Sequence, residues 1–302
     1  MVPEQAAIAN AYLDHLTSED LVLLVPGGSD ALRAGHGQVV QHLRPEGLEE
    51  LLASPRVFDA VFATAGEADT LVGASPFLVF AVAVHRAAIE LNATSYVSEW
   101  LGLGRRAPVF DAAQLRDFLA APWRRLFLAE LLASYTHVAS GSVLVSTRRG
   151  WRRQRFSELD PVRLAGLLEV ISESERPGIL RRLGDLSLFL TGVFPDYVAS
   201  RGFGPIEESR LLRSGVMVNS RRSPSSELKR MGVGGGAVGL LEQLGRRWYR
   251  AAFDALPRPV PGNVAVLGEL PDRFGDARRI LSFVTERFLF RHRDHWFELG
   301  GG

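Results

Sequence analysis

Ser75-Pro76-Phe77-Leu78-Val79-Phe80-Ala81-Val82-Ala83-Val84-His85 and Ile179-Leu180-Arg181-Arg182-Leu183-Gly184-Asp185-Leu186-Ser187-Leu188-Phe189-Leu190-Thr191-Gly192-Val193-Phe194 decide the fold class of this chain. In the first stretch Ser75 suits an N-cap, and Pro76 suits the first helical position, where its missing N–H costs nothing. Phe77, Phe80, Ala81, Val84, Ala88 and Leu91 then recur at three- and four-residue spacing, the period of a buried helix face. The second stretch is apolar almost all round, which predicts the most buried helix of the protein, ended or kinked by Pro195. Neither run is long enough to cross a bilayer, which takes roughly 20 apolar residues.

Outward from these two helices the same period recurs. It predicts helices over Ala6 to Leu16, Pro45 to Ala53, Leu115 to Ala120, Trp123 to Val138, from Asp160-Pro161 to Ile171, Ala237 to Ala255, and about Asp272 to Arg291. Val57 to Ala63 fits helix or strand. Ser142-Val143-Leu144-Val145-Ser146, then Arg149-Gly150 and Trp151 to Phe156, reads as two strands joined by a turn. The expected fold is therefore mainly α, a multi-helical core with one short β-hairpin and a small mixed α/β segment at the N-terminus. The expected organisation is a mixed segment at 1–72 and a helical core at 73–213 with the hairpin near 142–156. A Gly/Ser/Arg-rich mobile loop at 214–236 follows, then a C-terminal helical pair at 237–302 that packs back on the core. That pair carries Trp248, Phe253, Phe283, Phe288 and Trp296, too much aromatic surface for a solvated tail.

Composition removes several chemistries. There are no cysteines among the 302 residues, so disulfides, thiolate metal sites and cysteine nucleophiles are excluded. With 35 basic and 34 acidic side chains the net charge is +1, so any polyanion binding has to rest on a local patch. Lys229 is the only lysine, and it follows no P-loop glycine pattern. No His-Glu-x-x-His, Glu-x-x-His or Gly-x-Ser-x-Gly occurs. Met1-Val2-Pro3-Glu4-Gln5 lacks a basic leader region, and the sequence reads as cytoplasmic, with no cofactor and no membrane partner.

Weak motifs remain. Leu21 to Val25 followed by Pro26-Gly27-Gly28 invites a nucleotide-binding βα reading, but the glycine spacing that motif needs is missing. Gly234-Gly235-Gly236-Ala237-Val238-Gly239 matches Gly-x-Gly-x-x-Gly, but the stretch before it is polar and not strand-like, so it reads as a flexible glycine linker, with a phosphate at the following helix as the lesser alternative. His292 and His295 stand three apart and could share a metal, although no third ligand is identifiable. His85 lies on an apolar stripe and reads as a hydrogen-bonded core histidine.

Two features carry functional expectations. Arg148, Arg149, Arg152, Arg153 and Arg155 surround Trp151, with no acid from Ser140 to Ser157. This resembles the wing of a winged-helix DNA-binding domain, and the resemblance implies arginine contacts to phosphates. It covers little more than the hairpin and its preceding helix, and no recognition helix with base-reading side chains accompanies it. The second feature is Asp185, a carboxylate inside the most apolar helix, which needs a cationic or hydrogen-bonding partner. Arg181 and Arg182 are within reach along the helix. Glu130, Tyr135 and His85 are candidates to join it from neighbouring helices.

Three functions follow. The leading one is a non-enzymatic regulatory or adaptor protein that binds a protein partner through the arginine hairpin. The alternatives are a helical enzyme or small-molecule binder with an interior pocket at Asp185, and a nucleic-acid-binding protein that uses the hairpin as a wing. Whether the protein is an enzyme is left open, and a homo-oligomer is compatible with the apolar content.

Overall fold

The computed structural model describes residues 2–25, 47–62, 74–137, 140–147, 150–217, 236–289 and 297. Among them are thirteen α-helices and two antiparallel two-stranded hairpins, so the fold is mainly α, with a hairpin where the sequence places one. The helices up to residue 62 are α1 (Val2–Leu13), α2 (Ser18–Leu24), α3 (Leu48–Ala53) and α4 (Pro55–Phe62). Next come α5 (Pro76–Asn92), the hairpin β1 (Val97–Gly102) and β2 (Arg105–Val109), α6 (Ala112–Ala120) and α7 (Pro122–Ser134). The second hairpin, β3 (Ser140–Thr147) and β4 (Gly150–Ser157), leads into α8 (Pro161–Leu167), α9 (Arg176–Val193), α10 (Pro195–Arg201) and α11 (Pro205–Met217). Two long helices follow, α12 (Gly236–Asp254) and α13 (Gly262–Val284), with a π-helical turn at Thr285–Leu289.

The described residues before position 63 form helices and the short connections between them, and no strand of a mixed segment is found among them. The Leu21-Val25 run lies in α2 rather than in a strand. The reason is local: Thr17 caps α2, with Asp20 N–H donating to Thr17 Oγ1 at 3.2 Å and Thr17 N–H donating to Asp20 Oδ2 at 2.9 Å. This reciprocal box nucleates a helix that the apolar residues alone leave ambiguous. Asp20 Oδ1 also accepts the N–H of Ser75 at 2.7 Å, tying α2 to the start of α5.

Residues Leu183 to Val193 of α9 are buried without interruption, which makes it the central helix. It packs against α12 and α13. Glycines set how close those helices come: a Cβ on Gly184 would lie 2.7 Å from the Tyr249 ring, and one on Gly245 2.6 Å from Phe274. The backbones approach to a distance that only a missing side chain permits. One apolar cluster runs from Ile8 to Phe297, and Phe297 reaches Phe80 and Phe189 with ring centroids 5.7 and 5.1 Å apart.

Three features depart from the sequence reading. The last long helix begins at Gly262 and runs through Pro271, whereas the sequence reading starts it at Asp272. Pro271 cannot donate to the preceding turn, but Val266, Leu267 and Leu270 before it and Phe274 after it are all buried, so packing outweighs the lost bond. Residues 214–217 continue α11 and residue 236 opens α12, while 218–235 fall outside the described residues. The hairpin β1–β2 is new: Gly102 and Gly104 turn at φ 148° and 64°, and Asp196 Oδ1 holds it by accepting from Trp100 Nε1 at 2.8 Å and Gly104 N–H at 3.1 Å.

The hairpin is anchored to α13 by charge. Glu99 meets Arg278 and, at 3.5 Å, Arg279, while Arg279 also binds Asp111 at 2.7 Å and Asp276 at 3.3 Å. Arg273 links Asp276 at 2.6 Å to Asp117 at 2.8 Å. The buried Asp276 is thus shared between two guanidiniums, which compensates its removal from water. No helix among the described residues is long and apolar enough to cross a membrane.

Candidate functional site

The amphipathic repeat of α7 leaves one acid, Glu130, among Leu126, Phe127, Leu131 and Leu132. Proline at the first position starts the helix and Tyr135 closes it. The helix faces the first half of α9, where the chain is still partly polar at Arg181 and Arg182 before it becomes fully buried. Between them lies a cavity of about 700 Å³. Its apolar wall is Phe77 from α5 with Phe127 and Leu131 from α7. Its polar groups are His15, from the turn after α1, Glu130, Ser134, Arg181, Arg182, Asp185 and Asn263. Five separate stretches of chain therefore converge on one space, of a size that holds small molecules in other proteins.

Asp185 is buried at its wall. Tyr249 of α12 donates its hydroxyl to Asp185 Oδ1 at 2.8 Å. Asp185 Oδ2 stands 3.8 Å from Arg181 Nε, a charge contact beyond hydrogen-bonding distance. Arg182 turns elsewhere, correcting the expectation that both arginines serve Asp185: it donates to Ser134 Oγ at 2.9 Å, Ser134 O at 3.3 Å and Glu158 at 3.2 Å. Its guanidinium also covers the Tyr135 ring at 4.1 Å. Burial pushes the Asp185 carboxyl above the usual range, and the approach of Glu130 adds to this. Arg181, the Tyr249 bond and Arg182 pull it back without cancelling the rise.

Glu130 is held by His15, whose Nε2 donates to Glu130 Oε1 at 3.0 Å. That bond raises the His15 pKa, against a smaller opposing effect of burial. The His15 ring rests on Phe77 with centroids 4.6 Å apart, so the imidazole is positioned from two sides.

Of the expected companions of Asp185, Glu130 lines the same cavity. Tyr135 stacks on Phe189 at 4.2 Å, buried, and its hydroxyl has no partner among the described residues. His85 stands apart: its Nε2 lies 3.1 Å from the Tyr12 hydroxyl, and burial pushes its pKa down to about 3, so it is a neutral core group. His15, Asn263 and Tyr249 were missed by the sequence reading. His15 and Asn263 sit at helix ends with no repeating pattern, and Tyr249 falls in the arginine-rich run Arg246-Arg247-Trp248-Tyr249-Arg250, where nothing marks it as a carboxylate partner.

The comparisons with known proteins belong beside this geometry. No family model, characterised protein or solved structure matches the chain.

The arginine hairpin is present as backbone. Trp151, Arg152, Arg153 and Arg155 lie in β4, with Ser146 opposite Trp151, Val145 opposite Arg152, Leu144 opposite Arg153 and Ser142 opposite Arg155. Arg152 therefore has the opposite parity in the ladder to Arg153 and Arg155. Arg148 and Arg149 lie outside the described residues, as do His292, His295, Gly234 and Gly235. Among the described residues no group of three or more His, Asp or Glu side chains could hold a metal ion.

Proposed function

We propose that this protein binds a small molecule in the cavity beside Asp185. One observation carries the reading: a carboxyl in the central helix has an oxygen with no hydrogen bond among the described residues, on the wall of a cavity of about 700 Å³. Oδ2 keeps access to solvent through the cavity, so a ligand entering there can reach it and take the place of water. The polar groups at the cavity also converge from remote parts of the chain, as a binding site requires and a helix surface does not. The acid–base equipment of Asp185 and the His15–Glu130 pair would support catalysis on a bound molecule, and whether a reaction follows depends on the ligand.

The test is native mass spectrometry and a thermal-shift screen of the protein beside a variant with the cavity mouth obstructed. Gly178 is exposed at the cavity, and a side chain there meets nothing within 4 Å of its Cβ, so Gly178→Trp adds bulk at the cavity mouth without displacing a neighbour. We expect bound mass of a few hundred daltons, or ligand-dependent melting shifts, in the parent and not in Gly178→Trp. If every ligand response persists in Gly178→Trp, the cavity is not the site.

A second reading, partner binding through β3–β4, is supported by the placement of Arg152, Arg153 and Arg155 along one strand in a stretch with no acid. Charge reversal at Arg152 and Arg153 should abolish such a partner, and a steep loss of binding with salt would mark that partner as nucleic acid.

A further inference from the structure

We infer that the occupant of the cavity is a zwitterion with an apolar body, of the class of an α-amino acid with an apolar side chain. This rests on the small-molecule reading above and adds the chemistry of the ligand.

Arg181 and Asp185 lie one turn apart on α9, so their charged ends share a face. They face each other at 3.8 Å without a hydrogen bond. Among the described residues Arg181 has no other acidic partner and makes no hydrogen bond, and Asp185 has only the Tyr249 bond, on its other oxygen. The pair therefore presents an unfilled set of N–H donors beside an unfilled carboxyl oxygen. Arg182 does not compete for the same ligand, because Ser134 and Glu158 already hold it. Glu130 is likewise engaged by His15.

Each simpler ligand class leaves a fault. A plain anion gains Arg181 but is brought beside Asp185 and Glu130. A plain cation gains Asp185 but is brought against Arg181. A neutral apolar molecule makes use of neither charge and shields Asp185 Oδ2 from water without replacing the bond. A molecule whose ammonium and carboxylate are joined through one carbon meets the pair in register, its ammonium donating to Asp185 Oδ2 and its carboxylate accepting from Arg181. Arriving charge of the right sign also favours the ionised carboxyl that burial alone disfavours. The rest of the ligand meets Phe77, Phe127 and Leu131, which can hold an apolar side chain.

The experiment uses three probes with one body and different heads, L-phenylalanine, phenethylamine and 3-phenylpropanoate, titrated calorimetrically into the full chain. L-Phenylalanine should bind at least about tenfold tighter than either relative. Arg181→Gln should erase its advantage over the amine, and Asp185→Asn its advantage over the acid. Melting curves of both variants establish that they fold, and Arg181 is exposed enough to be changed without disturbing the core. Amine or acid binding as tightly as the amino acid overturns the zwitterion class and leaves the cavity reading standing. Failure of all three probes, while another compound binds in a manner sensitive to Gly178→Trp, does the same. If no compound responds to Gly178→Trp, both readings fall together.

Discussion

Asp20 and Asp185 are buried in this protein by opposite means. Asp20, at the junction of α2 and α5, uses both oxygens on backbone N–H groups: Oδ2 takes that of Thr17 and Oδ1 that of Ser75. Asp185, on α9 where it faces α7, uses one oxygen on Tyr249 and, among the described residues, leaves the other beside a cavity with a guanidinium out of hydrogen-bonding range. Asp276 belongs with Asp20, since Arg273 and Arg279 occupy both of its oxygens. The difference teaches how to sort buried acids without a ligand in view. A group whose bonds are all made is holding elements together, whereas one left with a free oxygen at a void is poised to meet something else.

The largest effect that separates the two regions should come from Asp20→Ala. It removes the capping box of α2 and leaves Ser75 N–H without its acceptor, and each loss costs about 1–2 kcal/mol, so urea unfolding should show a drop of about 3 kcal/mol. A loss under about 1 kcal/mol would place Asp20 with Asp185 and end the contrast. Next in size is Gly184→Ala. Its Cβ would fall 2.7–2.9 Å from three atoms of the Tyr249 ring, so the variant should lose about 2 kcal/mol by overpacking. By pushing the tyrosine off Asp185, the same change should also weaken any ligand binding in the cavity.

Asp185→Asn should behave in the reverse way to Asp20→Ala. The amide oxygen still accepts from Tyr249, and the variant should differ from the parent by less than about 2 kcal/mol. The sign depends on pH. A carboxyl whose folded pKa is raised contributes most stability below its unfolded pKa, about 3.9, and loses it as pH rises toward the folded value. The advantage of Asp185→Asn over the parent should therefore grow from pH 4 upward in a series of denaturant titrations. A parent favoured increasingly at high pH would mean that the arginines dominate Asp185.

The smallest effect is expected at the rim of the cavity. Glu130→Ala removes the bond that raises His15, so the His15 pKa followed by NMR should fall toward 6.5. In the parent, the stability from this pair is present at acid pH and fades as pH rises through the His15 pKa. In the variant that dependence should vanish. An unmoved His15 would show that the contact is not formed in solution.

Much of this could be read along the chain. Helices α5 and α9 are legible because their apolar residues need no partner to be recognised as buried. Asp185 is legible because a carboxylate in such a run demands an explanation. Helix α13 was misread at Pro271, since local propensity counts the lost hydrogen bond and not the four apolar side chains that pack around it. The hairpin β1–β2 went unseen because it is held by Asp196, Arg278 and Arg279, nearly a hundred or more positions away.

The sequence alone determined the helical class, the burial of α9 and the need for a partner at Asp185, because periodicity and desolvation act on a residue and its near neighbours. Only the tertiary structure decided that Tyr249 takes one oxygen, that Arg182 turns to Glu158, and that His15, Phe77 and Glu130 line the same cavity as Asp185. Those outcomes depend on which helices cross and how closely. Here the closeness is set by Gly184 and Gly245, whose missing side chains carry no signal of the aromatic rings that fill their place.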